Sequence, residues 1–102
     1  MAWFVKTETF TAQTAALSIE QRRPFLEAHR HWLAQHIGLG RCIRSGFLVD
    51  DQGRPGGGGL LIFQASSYAE ALAWVRQDPM IVEGLVAWQL QEWIPVSGDD
   101  WP

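Results

Sequence analysis

His29 and Asp78 are the side chains of this sequence whose types and settings best suit chemistry, and that chemistry is proton transfer. Imidazole gives or takes a proton near neutral pH with little tuning. At 100° per residue, Phe25, Ala28, His29, Trp32, Leu33 and His36 share one face of a helix, with His29 near its middle. A core histidine bonded to a backbone carbonyl fits the same position. Asp78 closes a second helical segment, at the edge of an inward face that carries Ala71 and Val75. There it can orient His29 or share its proton, and it can also cap the turn that Pro79 begins. The two roles are compatible.

Around this pair stand groups suited to holding a ligand. Trp32 offers a flat ring one turn from His29. His36 shares the same face, either as a second pocket residue or as a cation at the last helical carbonyls. Arg22, Arg23, Arg41 and Arg44 have the planar donors that match a carboxylate or phenolate, and each alone also fits a solvated surface. A metal site is not expected. His29 and His31 point about 160° apart on a helix, and His29 and His36 stand about 10 Å apart along it. Cys42 is the one cysteine, so it has no disulfide partner within the chain and is taken as an inert strand residue. The run Gly56-Gly57-Gly58-Gly59 lacks the Lys-Ser/Thr of a phosphate loop and precedes a strand, so a flexible turn or pocket rim is expected.

The elements that must position these groups follow from the pattern. Residues 2–8 (AWFVKTE) form a short, partly alternating first strand, and residues 9–17 a polar loop. Ser18 with Gln21 makes a capping box for a short turn, and the main first helix runs over 24–37 until Gly38 and Gly40 stop it. Residues 42–49 and 60–65 are strands joined by the turn-rich stretch 50–59. Ser67 and Glu70 form a second capping box for a helix over 68–77, with Tyr68, Ala71, Leu72 and Val75 inward and Trp74 on the flank. Pro79 starts another turn, and residues 85–94 make the last strand, with Trp88, Leu90 and Glu92 on one side and Gln89, Gln91 and Trp93 on the other.

The order β-α-β-β-α-β predicts an α+β domain of ferredoxin-like type over residues 1–96, with a polar tail over 97–102. Two helices cover one sheet face. A domain of 102 residues has too thin a core to leave the other face bare, so a homodimer is expected. Six tryptophans (Trp3, Trp32, Trp74, Trp88, Trp93 and Trp101) are many for one small core, and some are expected in a pocket or subunit interface. Eight basic and eleven acidic residues leave a net charge of -3 with no basic block beyond Arg22-Arg23, which argues against nucleic acid and against anionic membranes. No apolar stretch approaches the ~20 residues of a membrane span. Without a secretory signal, and with one cysteine, a cytoplasmic setting is expected.

The arrangement resembles the YCII-related (YciI-like) family of dimeric α+β barrel proteins. The match begins at Arg22 and runs through His29-Arg30-His31-Trp32-Leu33, Ser45-Gly46-Phe47 and Asp51-Gln52-Gly53. It continues from Ser67-Tyr68-Ala69-Glu70-Ala71 to Asp78-Pro79 and Gly84. The resemblance implies that the family histidine falls on His29, the family aspartate on Asp78 and an upstream arginine on Arg22, in a cleft of each subunit. It further implies pocket roles near Ser45 and Gly46, and a relationship to muconolactone-isomerase-like proteins, one branch of which dehydrochlorinates a chlorinated hydroxyhydroquinone. Two departures touch the pocket: Gly46-Phe47 replaces the usual Gly-Pro, and the glycine-rich loop is long. The expected function is a cofactor-independent isomerase or lyase acting on a small anionic or aromatic ligand. The alternative is a non-catalytic ligand-binding or accessory homodimer on the same scaffold.

Overall fold

The first strand, β1 (Ala2–Phe10), lies in the interior of the sheet. It pairs antiparallel with β3 (Pro55–Ala65) on one side and β4 (Val86–Trp93) on the other. β2 (Ile43–Val49) adds to the outer edge of β3, giving the order β2-β3-β1-β4. The turn α1 (Ala12–Ala15) and the long helix α2 (Ile19–Gly38) connect β1 to β2. Helix α3 (Tyr68–Val75) and the turn α4 (Pro79–Val82) connect β3 to β4. This is a ferredoxin-like βαββαβ topology, consistent with the dimeric-type α+β barrel superfamily. The computed structural model describes residues 1–99, so Trp101 and the end of the expected tail lie outside the described residues.

Alternation along the strands sorts the sheet into two faces. Phe4, Lys6, Leu61, Phe63, Val86 and Leu90 turn toward the helices and are buried. Trp3, Val5, Leu60 and Ile62 turn the other way and are only half-buried. The helices bring Trp32, Leu33, Ala71, Trp74 and Val75 onto the covered face. Trp74 sits at the centre of that core, its ring centroid 4.6 Å from those of both Trp32 and Phe63.

Several local expectations change. The capping box at Ser18 is present, with Gln21 N donating to Ser18 Oγ (3.1 Å) and Ser18 N to Gln21 Oε1 (2.9 Å). It opens the whole of α2, not a separate turn, and the helix runs through Pro24. Pro24 removes one donor near the helix start, in an exposed stretch of the helix. The segment before it is also no plain loop: β1 extends to Phe10, and Thr11 caps α1 by accepting from Thr14 N.

The glycine run is strand, not turn. Gly58 pairs with Thr9 and Gly59 with Glu8 on β1, and Gly59 also pairs with Phe47 on β2. The reversal is completed earlier, where Asp50 Oδ1 accepts from Gln52 N (2.8 Å) and Arg54 N (2.9 Å). In α3, Trp74 is buried and Tyr68 is half-exposed, its hydroxyl donating to the Leu90 carbonyl at 3.2 Å. Ser67 caps α3 through Glu70 N, while the Glu70 carboxylate turns to Ser66. Ala28, expected inward on α2, is exposed.

Candidate active site

Helix α2 lies antiparallel to β1 across the covered face. At its start the Arg22 guanidinium sits 5.3 Å from the Phe10 ring centroid. Two turns later comes His29, and two turns after that His36, which accepts a hydrogen bond from Trp74 Nε1 at 3.1 Å. Arg22, His29 and His36 thus recur every seven residues on the inward stripe, about 10 Å apart. Beneath them the inward positions of β1 alternate Phe4, Lys6, Glu8, Phe10.

Asp78 closes the arrangement from α4. It is the N-cap of that turn, and Oδ1 accepts from Met80 N at 2.9 Å. The same oxygen lies 2.8 Å from His29 Nδ1, and Oδ2 accepts from Lys6 Nζ at 2.7 Å. Lys6 Nζ in turn lies 2.8 Å from Glu8 Oε1. Four side chains therefore form one chain, His29–Asp78–Lys6–Glu8. The middle two are sealed from solvent, and the ends keep 16% (His29) and 12% (Glu8) side-chain exposure.

Burial acts to raise the Asp78 carboxyl. The hydrogen bond from His29, together with the charge and hydrogen bond of Lys6, outweighs it and holds the group below the ordinary carboxylate value. Asp78 is therefore an anion at neutral pH and can only accept. Against that acceptor, His29 Nδ1 carries the shared hydrogen, and Nε2 is the ring nitrogen left for other partners. An ammonium between two carboxylates is costly to desolvate, and it persists here because every inner oxygen contact is short.

The structure brings His29 and Asp78 into contact and sets Trp32 beside them, 6.3 Å from the His29 ring centroid. Arg22 and His36 flank the pair without touching it. His36 is engaged by the aromatic cluster, 5.4 Å from both Trp32 and Trp74 between centroids. Ser45 and Gly46 are exposed on β2: Ser45, opposite Leu61, shares the covered face, and Gly46, opposite Leu60, faces the other way. Two surface clefts lie elsewhere. One of about 310 Å³ borders Thr9, Leu48, Arg54 and Gly56; the other, about 390 Å³, borders His36, Arg41, Cys42, Gln64 and Trp74. Neither is lined by His29 or Asp78.

Lys6 and Glu8 escaped sequence reasoning as site residues. Their signal was the alternation of β1, which puts two charges in line with Phe4 and Phe10 on its inward side.

Among known proteins, the model of the YCII-related domain matches residues 4–94. The fold is also similar to that of a 5-chloro-2-hydroxyhydroquinone dehydrochlorinase from Burkholderia phenoliruptrix AC1100, solved with 2,5-dihydroxybenzoquinone. The TM-score is 0.67 at 22% identity, covering 90% of this chain and 93% of that one. No curated protein sequence matches the chain.

Proposed function

This chain belongs to the YCII-related family, and from that premise we propose that it is a small-molecule enzyme of proton-transfer type, an isomerase or lyase that needs no cofactor. The observation that carries the reading is the 2.8 Å contact between His29 Nδ1 and an Asp78 carboxylate pinned by Lys6 and Met80 N. His29 Nε2 takes a proton from a ligand hydroxyl or an acidic C–H, and Asp78 steadies the imidazolium that forms. Return of that proton to another ligand atom is an isomerisation; departure of an anion with it is an elimination. Trp32, expected to line the pocket, is buried against Trp74 and backs the imidazole from the core side, while Arg22 suits an anionic group at the far end of the stripe. Ser45 adds a hydroxyl from β2.

The dehydrochlorinase that shares the fold suggests hydroxylated rings as the first ligand class to try. The reading includes a second copy of the chain over the open sheet face, where Trp3, Val5, Leu60 and Ile62 lie only half-buried. A non-catalytic ligand-binding role is the second reading, favoured by the two clefts that miss His29 and Asp78.

Oxygen-free incubation with 5-chloro-2-hydroxyhydroquinone, with chloride release measured, separates the two. The parent is expected to release chloride, and His29→Ala and Asp78→Asn to lose at least about 100-fold in rate while circular dichroism shows them folded. Binding without turnover, unchanged in both variants, would leave only the ligand-binding role.

A further inference from the structure

The larger of the two clefts lies where α2 ends, and the proton-transfer chemistry above makes no use of it. Gly40, at φ 88°, turns the chain out of the helix. Its amide donates to the Ile37 carbonyl at 3.0 Å and the Arg41 amide to the His36 carbonyl at 3.1 Å, the paired closure of a Schellman motif. That closure sets Arg41 back beside His36 and over α3, with its guanidinium carbon 4.3 Å from the Trp74 ring centroid. Stacking uses the face of the guanidinium and leaves its N–H edge for acceptors. Among the described residues the side chain has one acceptor, Glu70 Oε1 at 3.4 Å, and Nη1 is buried without any. His36 adds a donor. Indole only donates, so the bond from Trp74 takes the lone pair of His36 Nδ1 and leaves the ring hydrogen on Nε2. Met1, Leu39 and Trp74 give the cleft apolar walls, and no acidic residue among the described ones lines it.

We propose that this cleft binds a small carboxylic acid with an apolar body, at a site separate from His29 and Asp78. Its volume of about 390 Å³ is that of a small-ligand pocket. The carboxylate meets the edge of Arg41 and the Nε2 hydrogen of His36, and the body covers Leu39 and Met1. The Arg41 side chain keeps only 20% exposure, so solvent screens its charge less than that of an open surface arginine, and an anion gains more beside it. Glu70 is the internal competitor. Its carboxylate is also held by Ser66, whose amide donates to Oε2 at 3.1 Å, and α3 is capped by Ser67, so Arg41 can exchange Glu70 for a ligand without unfastening the helix. A small inorganic anion meets the same charge and gains nothing from the apolar walls. The site stands about 10 Å along α2 from His29, and neither reading depends on the other.

The test is an NMR titration at constant ionic strength with cyclohexanecarboxylate, its uncharged amide and acetate, on the parent, Arg41→Gln and Glu70→Gln. Cyclohexanecarboxylate is expected to shift the backbone amides of Arg41 and Cys42 and the Trp74 indole N–H of the parent. The uncharged amide and acetate are each expected to bind at least about tenfold more weakly, one for want of the charge and the other for want of the apolar body. Arg41→Gln is expected to weaken the carboxylate about tenfold and leave the amide unchanged. Glu70→Gln keeps an acceptor for Ser66 and frees Arg41, and is expected to tighten the carboxylate about threefold. Equal binding of acid and amide, equal binding of acetate, or shifts confined to another surface would overturn the proposal. So would a carboxylate affinity that Arg41→Gln does not lower or, should that variant not fold, that Glu70→Gln does not raise. His29→Ala is expected to leave the titration unchanged; a carboxylate that stops binding there belongs to the His29 site and removes this one.

Discussion

Asp78 carries three interactions on one carboxylate: a backbone cap, an imidazole and an ammonium. Asp78→Asn leaves Lys6 buried with only Glu8 to balance it, and loss of one partner from a buried pair costs about 3–5 kcal/mol. Equilibrium urea unfolding at neutral pH measures that loss. The acid side has a definite sign. The folded carboxyl lies below its unfolded value, so its stabilisation is complete above that unfolded value, near pH ~3.9. It disappears as pH falls through the lower folded value. Unfolding midpoints followed downward from pH ~6 are expected to drop steeply at the acid end in the parent and less steeply in Asp78→Asn. His29 and Asp78 were legible from the chain because a helical wheel and an Asp-Pro step each assign a place. Lys6 was not: lysine is among the least buried residue types, and only the pairing of β1 with strands on both sides shows that its inward face is sealed.

At the scale of elements, the glycine run teaches the most. Four consecutive glycines suggest a loop because glycine is poor in strands, and pairing on both edges of β3 overrides that preference. Its members are not equivalent. Gly57 has φ of 78°, and a Cβ there would lie 3.0 Å from Phe10 Cδ2, whereas nothing stands within 4 Å of one at Gly56. Gly57→Ala is expected to cost more than about 1 kcal/mol and Gly56→Ala to change stability by less than about half that, both read from thermal or urea unfolding. Helix α2 was legible in its inward stripe but not in its start. The box at Ser18 and the proline at position 24 look like two signals, and packing of Arg22, Phe25 and Leu26 on either side of Pro24 merges them.

The topology was legible because the order of strands and helices leaves few right-handed, uncrossed ways to build one sheet. What covers its open face belongs to the whole molecule. With a second copy seated there, sedimentation should report a dimer for the parent, and Ile62→Glu, which puts a charge among half-buried apolar residues of that face, should shift it to monomer or cause precipitation. A parent that sediments as monomer at every concentration would remove the dimer from the proposed function. The polar chain at the core also spans the length of the polypeptide: Asp78 meets a lysine 72 positions earlier and a histidine 49 positions earlier. During translation, Lys6 leaves the ribosome with Glu8 close behind it, whereas Asp78, the carboxylate it shares with His29, follows much later. Until residue 78 emerges, the ammonium in the middle of β1 has one of its two carboxylates, and burying it is costlier than in the finished fold. The buried charge chain can therefore be completed only after most of the polypeptide has been made.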